Sequence, residues 1–255
     1  MQNVKAPSPL MIMLEGRAPW EFAATLAAWP LLHKGPAGDG HPVLVLPGLA
    51  ANNLSTVPLR GYLSQRGYRP YPWNFGLNLG PRPGVLSGCI EHVKEIAGEA
   101  GRKVSLIGWS LGGIYAREIA KIVPDSVRCV ITLGTPFDGP PHATNAWRLF
   151  EFVSGQKVDE QSMRERIRQA PPVPTTSILS RTDGVVAWQC SVNREGPLAE
   201  NIEIPASHLG MGFNPLALHA IADRLGQPEG GWKPFERAGL RRMFFRGSPT
   251  DTAPA

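Results

Sequence analysis

The feature that most constrains this chain is a serine flanked by glycines where a strand pattern turns into a helix pattern. An apolar-leaning run typical of a buried strand covers Lys103 to Trp109, and a helical pattern covers Gly112 to Val123, where Pro124 ends it. Ser110 stands between them in the order Gly-Trp-Ser-Leu-Gly, whose small residues permit a sharp turn. The pattern predicts a strand–turn–helix unit with an exposed hydroxyl at the carboxyl end of a sheet.

The G-x-S-x-G pattern alone is weak evidence, because a chain with 28 glycines can match it by chance. An ordinary loop serine is the alternative interpretation. The flanking strand and helix favour a catalytic one, since the unpaired N–H groups and the dipole at the helix N-terminus stabilise negative charge that develops beside Ser110.

A serine hydroxyl needs a neighbouring base to act as a nucleophile at neutral pH, and histidine is the usual one. Among the six histidines, His208 directly follows the strand-like sequence NIEIP and precedes the last helical pattern. The other five lie before the first core strand, within helical patterns or in an insertion, where packing or surface roles are expected. A purely structural loop histidine remains the alternative for His208.

The imidazole must in turn be oriented by a carboxylate. Asp183 follows the strand-like sequence TTSILS, and the chain order Ser110, Asp183, His208 is the one expected when the partners follow successive later strands. Asp138, after the sequence GTPF, is the alternative acid, but it leaves the preceding strand. We therefore predict Ser110 as nucleophile, His208 as general base and Asp183 as the orienting acid.

An acyl-transfer site also needs two donors for the oxyanion, and backbone amides can supply them. The Leu111 N–H, next to the serine, is one candidate. The second is expected in the open turn that follows Pro47 and Gly48, where Leu49 N–H is chosen and Ala50 N–H remains open.

Strand and helix patterns alternate along the chain, which predicts an α/β fold with a mostly parallel sheet and helices on both faces. The helical patterns cover 17–33, broken at Pro30, then 52–67, 85–101, 112–123 and a last helix from near Asn214. Further strand patterns cover Val43 to Leu46, Tyr68 to Trp73, Val127 to Leu133, Thr175 to Ser180 and Asn201 to Pro205.

We interpret residues 1–255 as one domain with two additions. Residues 137–172 contain no strand pattern. We predict that they form a helical lid, with helices over 145–153 and 159–169. Residues 227–255 predict a loosely packed extension followed by disorder.

Composition argues against several other classes of protein. The net charge of +5 comes from scattered basic residues, so no nucleic-acid partner is expected. Three cysteines lack metal-site spacing and cannot all pair, which argues against a metal site and a disulfide framework. The apolar stretch near the N-terminus is short and soon interrupted by charges, which argues against a membrane span. We expect a cytoplasmic protein with no metal.

Five sequences in register, VLVLPGL, VSLIGWSLGG, VITLGTP, SRTDGVV and SHLGM, resemble the α/β-hydrolase superfamily, and more narrowly bacterial esterases and lipases of the triacylglycerol-lipase type. The resemblance covers about residues 40 to 226. It implies the same triad, an oxyanion hole at Leu49 and Leu111, and no cofactor. The chain departs from many relatives at Pro47 and at Trp109, where a histidine is common.

The resemblance implies a serine carboxylic-ester hydrolase that acts on a small-molecule ester or lipid. The aromatic residues Trp73, Trp109, Trp147, Phe150 and Trp188 are candidates for an apolar acyl pocket, although the same residues could belong to the core. An acyltransferase using the same acyl-enzyme and a non-catalytic binding protein are the alternative functions. The basic and aromatic tail is a candidate for weak contact with a lipid surface, and the oligomeric state is left open.

Overall fold

A single six-stranded parallel sheet forms the centre of the computed structural model, which describes residues 4–140, 143–145, 161–194 and 196–246. The strand order is β2-β1-β3-β4-β5-β6, and every adjacent pair is parallel. The strands are β1 Pro42–Leu46, β2 Arg69–Pro72, β3 Val104–Trp109, β4 Val127–Leu133, β5 Thr175–Leu179 and β6 Ala199–Glu203.

The strand order reverses between β1 and β3. The chain leaves β1 outward to β2, returns across β1 to β3 and then proceeds through β4 and β5 to β6. In open parallel sheets, ligands bind beyond the carboxyl ends of the strands at such a switch point. The turns that follow β1 and β3 meet there, because Gly48 lies against Ser110.

Helices cover both faces of this sheet. They are α1 Pro9–Leu14, α2 Ala18–Leu32, α3 Val57–Gln65, α4 Val85–Ala100, α5 Leu111–Ile122, α6 Gln161–Arg168 and α7 Pro215–Leu225.

Alternate residues of β1 belong to different halves of the core, as the strand period of two requires. Val43 and Val45 pack with residues of α2, α3 and α7, whereas Leu44 and Leu46 pack with residues of α4 and α5. The predicted fold class is therefore confirmed. No helix in the described ranges is both long enough and apolar enough to cross a bilayer.

One local expectation, the break of the first helix at Pro30, is wrong. Helix α2 continues through Pro30 to Leu32, because the missing proline N–H falls in the last turn and the His33 N–H still donates to the Trp29 carbonyl at 3.2 Å. The short helix α1, which we did not predict, precedes it.

The extension beyond α7 is anchored to the sheet at two points up to Arg246. Phe235 and Phe245 are buried and in ring contact, and the Phe235 N–H donates to Glu200 Oε2 at 2.8 Å. Arg246 exchanges backbone hydrogen bonds with Glu203 on β6, so this segment covers the edge strand. The disorder predicted further along concerns residues outside the described ranges.

Glycines at the start of α5 let that helix pack directly on the sheet. A Cβ at Gly113 would lie 2.0 Å from Thr135 Oγ1, closer than real side-chain contacts allow. We expect Gly113→Ala to lower the free energy of unfolding by about 1–3 kcal/mol, because the core must shift to admit the methyl group. Urea denaturation followed by circular dichroism measures the change.

Gly98→Ala is the matched control, since Gly98 also lies within a helix but a Cβ there would meet no atom within 4 Å. Alanine at this site should raise the free energy of unfolding by about 0.5–1 kcal/mol. Equal effects of the two substitutions would contradict the packing argument.

Candidate active site

Ser110 occupies a strained backbone conformation where β3 turns into α5. Its φ of 52° and ψ of −121° are rare for a residue with a side chain. The turn is this tight because Gly108 and Gly112 lack side chains: a Cβ at either would lie 2.3 Å from backbone atoms of Gly113 or Leu46. The Ser110 N–H donates to the Leu133 carbonyl at 2.8 Å, which ties the turn to the end of β4.

The loop after β5 and the loop after β6 bring a carboxylate to a histidine. His208 Nδ1 lies 2.7 Å from Asp183 Oδ2, and both side chains are buried. The other carboxylate oxygen of Asp183 accepts the N–H groups of Val185 at 2.8 Å and Val186 at 2.7 Å. With Nδ1 as the donor to Asp183, the Nε2 of His208 is left to accept a proton.

Opposing effects act on the pKa of His208. Burial is the largest and by itself lowers the pKa, because it disfavours the charged ring, but the charge and hydrogen bond of Asp183 and the charge of Glu15 raise it. The net result is a pKa above the ordinary value of 6.5. The site therefore stabilises an imidazolium.

Contacts around Trp109 and Gly134 bring the serine turn and the histidine loop together. The Trp109 indole N–H donates to the His208 carbonyl at 3.0 Å. A Cβ at Gly134, the residue after Leu133, would lie 3.0 Å from His208 Nδ1 and 2.9 Å from Asp183 Oδ2. Among the described residues the Ser110 hydroxyl makes no direct hydrogen bond to the imidazole, so proton transfer between them requires a side-chain adjustment.

Asn78 holds the turn after β1 from both sides. Its fully buried side chain donates to the Pro47 carbonyl at 2.8 Å, and its backbone carbonyl accepts the Ala50 N–H at 2.8 Å. The Ala50 N–H is therefore occupied, whereas the Leu49 N–H has no hydrogen-bond partner in the part of the chain described. Asn78 was missed in the sequence because nothing in FGLNLG shows that its amide reaches a loop 31 residues earlier.

The Leu111 N–H belongs to the first residue of α5 and has no partner within the helix. It lies beside Ser110, and a Cβ at Gly48 would lie 3.3 Å from the Ser110 Cβ. The turn with Leu49 and the start of α5 thus border the serine from two sides.

The aromatic pocket candidates have different surroundings. Trp73 is buried and packs edge-on against Phe75 and Tyr115, and Trp109 belongs to the core beneath the His208 loop, in edge contact with Phe213. These contacts fit the alternative that both are core residues. Trp147 and Phe150 lie outside the described residues.

Trp188 lines a cavity of about 180 Å³ together with Asp183 and Met11. The Arg181 guanidinium stacks over the Trp188 ring at 4.1 Å.

The rival acid and the four other described histidines have partners elsewhere, and His142 lies outside the described residues. Asp138 forms an ion pair with Arg168 at 2.8 Å. The fully buried His41 bonds Ser105 Oγ at 2.8 Å and the Asp39 carboxylate at 2.5 Å, and His33 lies 2.9 Å from the Trp29 carbonyl. His219 packs on Phe235 and Phe245, and His92 lies near Glu95.

Comparison with known proteins supports the fold at the level of a family. A family model described as the alpha/beta hydrolase family matches residues 16–251. The chain is also similar to triacylglycerol lipases from Pseudarthrobacter phenanthrenivorans and Burkholderia plantarii, each 31% identical over 117 residues, or 42% of this chain. The matched segment spans only 36% and 32% of those relatives.

A solved structure has a similar backbone. The crystal structure of lipase B from Aspergillus fumigatus superposes with a TM-score of 0.60 and 19% identity, over 76% of this chain and 54% of that one. At this identity the likeness concerns the fold alone.

The hydrogen bond between Trp109 and the His208 carbonyl gives a stability prediction. Trp109→Phe keeps an aromatic ring but leaves a buried carbonyl without its donor, so we expect the free energy of unfolding to fall by about 1–3 kcal/mol. Urea denaturation measures this. Trp20→Phe is the control, because Trp20 is 76% exposed and should change stability by less than about 0.5 kcal/mol; an equal loss in both variants would contradict the assignment.

Proposed function

The chain belongs to the α/β-hydrolase family, and on that basis we propose that it is a carboxylic-ester hydrolase using Ser110, His208 and Asp183. The observation that carries the proposal is the 2.7 Å contact between His208 Nδ1 and Asp183 Oδ2, on loops that meet the strained turn at Ser110. Lipase names among the sequence relatives support an ester as the substrate class.

In the proposed first step, the Ser110 Oγ attacks the ester carbonyl carbon while its proton passes to His208 Nε2. The imidazolium that forms is stabilised by Asp183, whose carboxylate is held in place by two backbone N–H groups. The carbonyl oxygen becomes an oxyanion and accepts hydrogen bonds from the N–H groups of Leu111 and Leu49.

The tetrahedral intermediate then collapses. The bond between the carbonyl carbon and the alcohol oxygen breaks, the alcohol takes the proton from His208, and the acyl group stays on Ser110. Water, deprotonated by His208, attacks this acyl-enzyme, the bond to the Ser110 oxygen breaks, and the proton returns to the serine as the acid leaves.

The preferred substrate in this proposal is a small-molecule ester or lipid with an apolar acyl chain. Its support is the lipase relatives and the aromatic residues Trp147 and Phe150 in the sequence of the insertion. A series of nitrophenyl esters of increasing acyl length, assayed below and above the concentration at which they aggregate, tests the preference.

Ser110→Ala should lower ester turnover at least about a thousandfold, because no other group supplies the acyl acceptor. The thermal midpoint should stay within a few degrees of the unmodified protein. Hydrolysis of a nitrophenyl ester and covalent labelling by a serine-reactive phosphonate measure the loss. Ser87→Ala, an exposed serine on α4, is the control and should retain full activity; retained turnover in Ser110→Ala would overturn the proposal.

The pH dependence follows from the raised pKa of His208. The base must be neutral to accept the serine proton, so kcat/KM should fall as the pH drops through that pKa, giving an acid limb above pH 6.5. Asp183→Asn removes a charge that raises the pKa, so the limb should move to lower pH while kcat drops by about 10⁴.

Asp138→Asn is the control for this measurement, since Asp138 pairs with Arg168 and not with the histidine. Its acid limb should coincide with that of the unmodified protein. An unshifted limb in Asp183→Asn would show that His208 is not the titrating base.

A further inference from the structure

A buried carboxylate in the N-terminal segment contacts both loops of the proposed acid–base pair. Glu15, in the turn between α1 and α2, is 6% exposed. Its Oε1 accepts the N–H groups of Gly184 at 2.7 Å and His208 at 2.9 Å, and its Oε2 accepts that of Leu209 at 2.8 Å. Gly184 directly follows Asp183, so a single side chain joins the acid loop to the histidine loop.

We infer that Glu15 is a positioning residue that sets the distance between Asp183 and His208 by holding their two loops through backbone N–H groups. The inference rests on the proposed function. It adds to the site a residue from a segment that precedes the first strand and contains none of the five sequences that resemble the family.

Neighbouring contacts hold the same segment against the same loops. Arg17 donates to the Thr182 carbonyl at 2.9 Å and to its hydroxyl at 2.8 Å, on the acid loop. Glu21 accepts the Ser207 N–H at 2.7 Å, on the histidine loop. Two loops that begin on different strands are thus tied to one helical segment, which restricts their relative motion.

The acid loop has no side chain at the point of closest approach to this segment. A Cβ at Gly184 would lie 2.2 Å from the Met11 carbonyl oxygen and 2.9 Å from the Ile12 nitrogen. The middle of α1 therefore packs backbone to backbone against the residue after Asp183. This fit brings the Glu15 carboxylate within reach of both loops.

The three N–H donors to Glu15 carry no formal charge, and no ion pair to Glu15 is present among the described residues, so amides solvate its negative charge. His208 is therefore flanked by two carboxylates, Asp183 at its ring and Glu15 at its backbone. Glu21, the third acid nearby, is paired with Arg17 at 3.0 Å. The charge of Glu15 contributes to the raised pKa of His208, as does that of Asp183.

Glu15→Gln is the direct test, because the amide keeps the shape, removes the charge and places an NH₂ group against one of the three N–H donors. We expect kcat for a soluble nitrophenyl ester to fall about 10- to 100-fold with a smaller change in KM, since misplaced groups slow the chemical step. The acid limb of kcat/KM should move to lower pH.

Glu200→Gln is the matched control. Glu200 is also a buried carboxylate that accepts a backbone N–H, from Phe235. It lies near the amino end of β6 beside Arg224, whereas His208 follows the carboxyl end of that strand. It should lower thermal stability and leave the acid limb where it is. If the acid limb of kcat/KM shifts in Glu15→Gln but not in Glu200→Gln, the shift comes from the position and charge of Glu15 and not from a general loss of stability.

Arg17→Leu keeps the inference testable if Glu15→Gln does not fold. Arg17 is partly exposed, and its loss removes the two hydrogen bonds to Thr182 on the acid loop while the contacts of Glu15 remain. We expect a smaller fall in kcat, about 2- to 10-fold, with the thermal midpoint within a few degrees. Unmodified kcat and acid limb in the variants that fold would overturn the inference.

Ser110→Ala distinguishes this outcome from failure of the proposed function. If Ser110→Ala is inactive while Glu15→Gln and Arg17→Leu behave as the unmodified protein, only the role of Glu15 fails. If Ser110→Ala retains turnover, the proposed function and the inference both fail.

Discussion

The whole site depends on the absence of side-chain volume where β3 meets α5. Gly112 lets the start of the helix approach the Leu46 carbonyl, and Gly108 lets the chain fold back against Gly113. Only with that close approach can Ser110 be held at a positive φ, at the carboxyl end of the sheet and beside the first helical N–H. Strain of this kind persists only where surrounding packing compensates for it, and the fully buried strands β1 and β3 provide that packing.

Electrostatics complement this geometry. A histidine as deeply buried as His208 would ordinarily favour its neutral form, yet the carboxylates around it favour the charged one. Each of these acids is held by backbone N–H groups: two on Asp183 and three on Glu15. Because the amides are part of the fold, little reorganisation is needed when the ring takes a proton.

Local sequence patterns predicted the sheet and also predicted that Asp183 and His208 follow successive strands. They could do so because strand periodicity and the loops after strands are properties of neighbouring residues. Glu15 and Asn78 could not be found this way, since their partners lie 169 to 194 and 31 residues away along the chain. Pattern also did not show that the segment up to Arg246 contacts β6, because its two buried phenylalanines, Phe235 and Phe245, are spaced too widely to signal a packed edge. Trp73 and Trp109 could not be assigned to pocket or core, because apolar character is the same in both.

The contacts of Glu15 also bear on the order in which the protein can mature during its synthesis. Its turn is synthesised long before the last amide that it accepts, which belongs to Leu209, 194 residues later. Until the chain has emerged as far as Leu209, this carboxylate lacks its amide partners and stays hydrated. Completion of the site is thereby coupled to synthesis of the chain through Leu209, so a nascent fragment that already contains Ser110 would still lack an organised base.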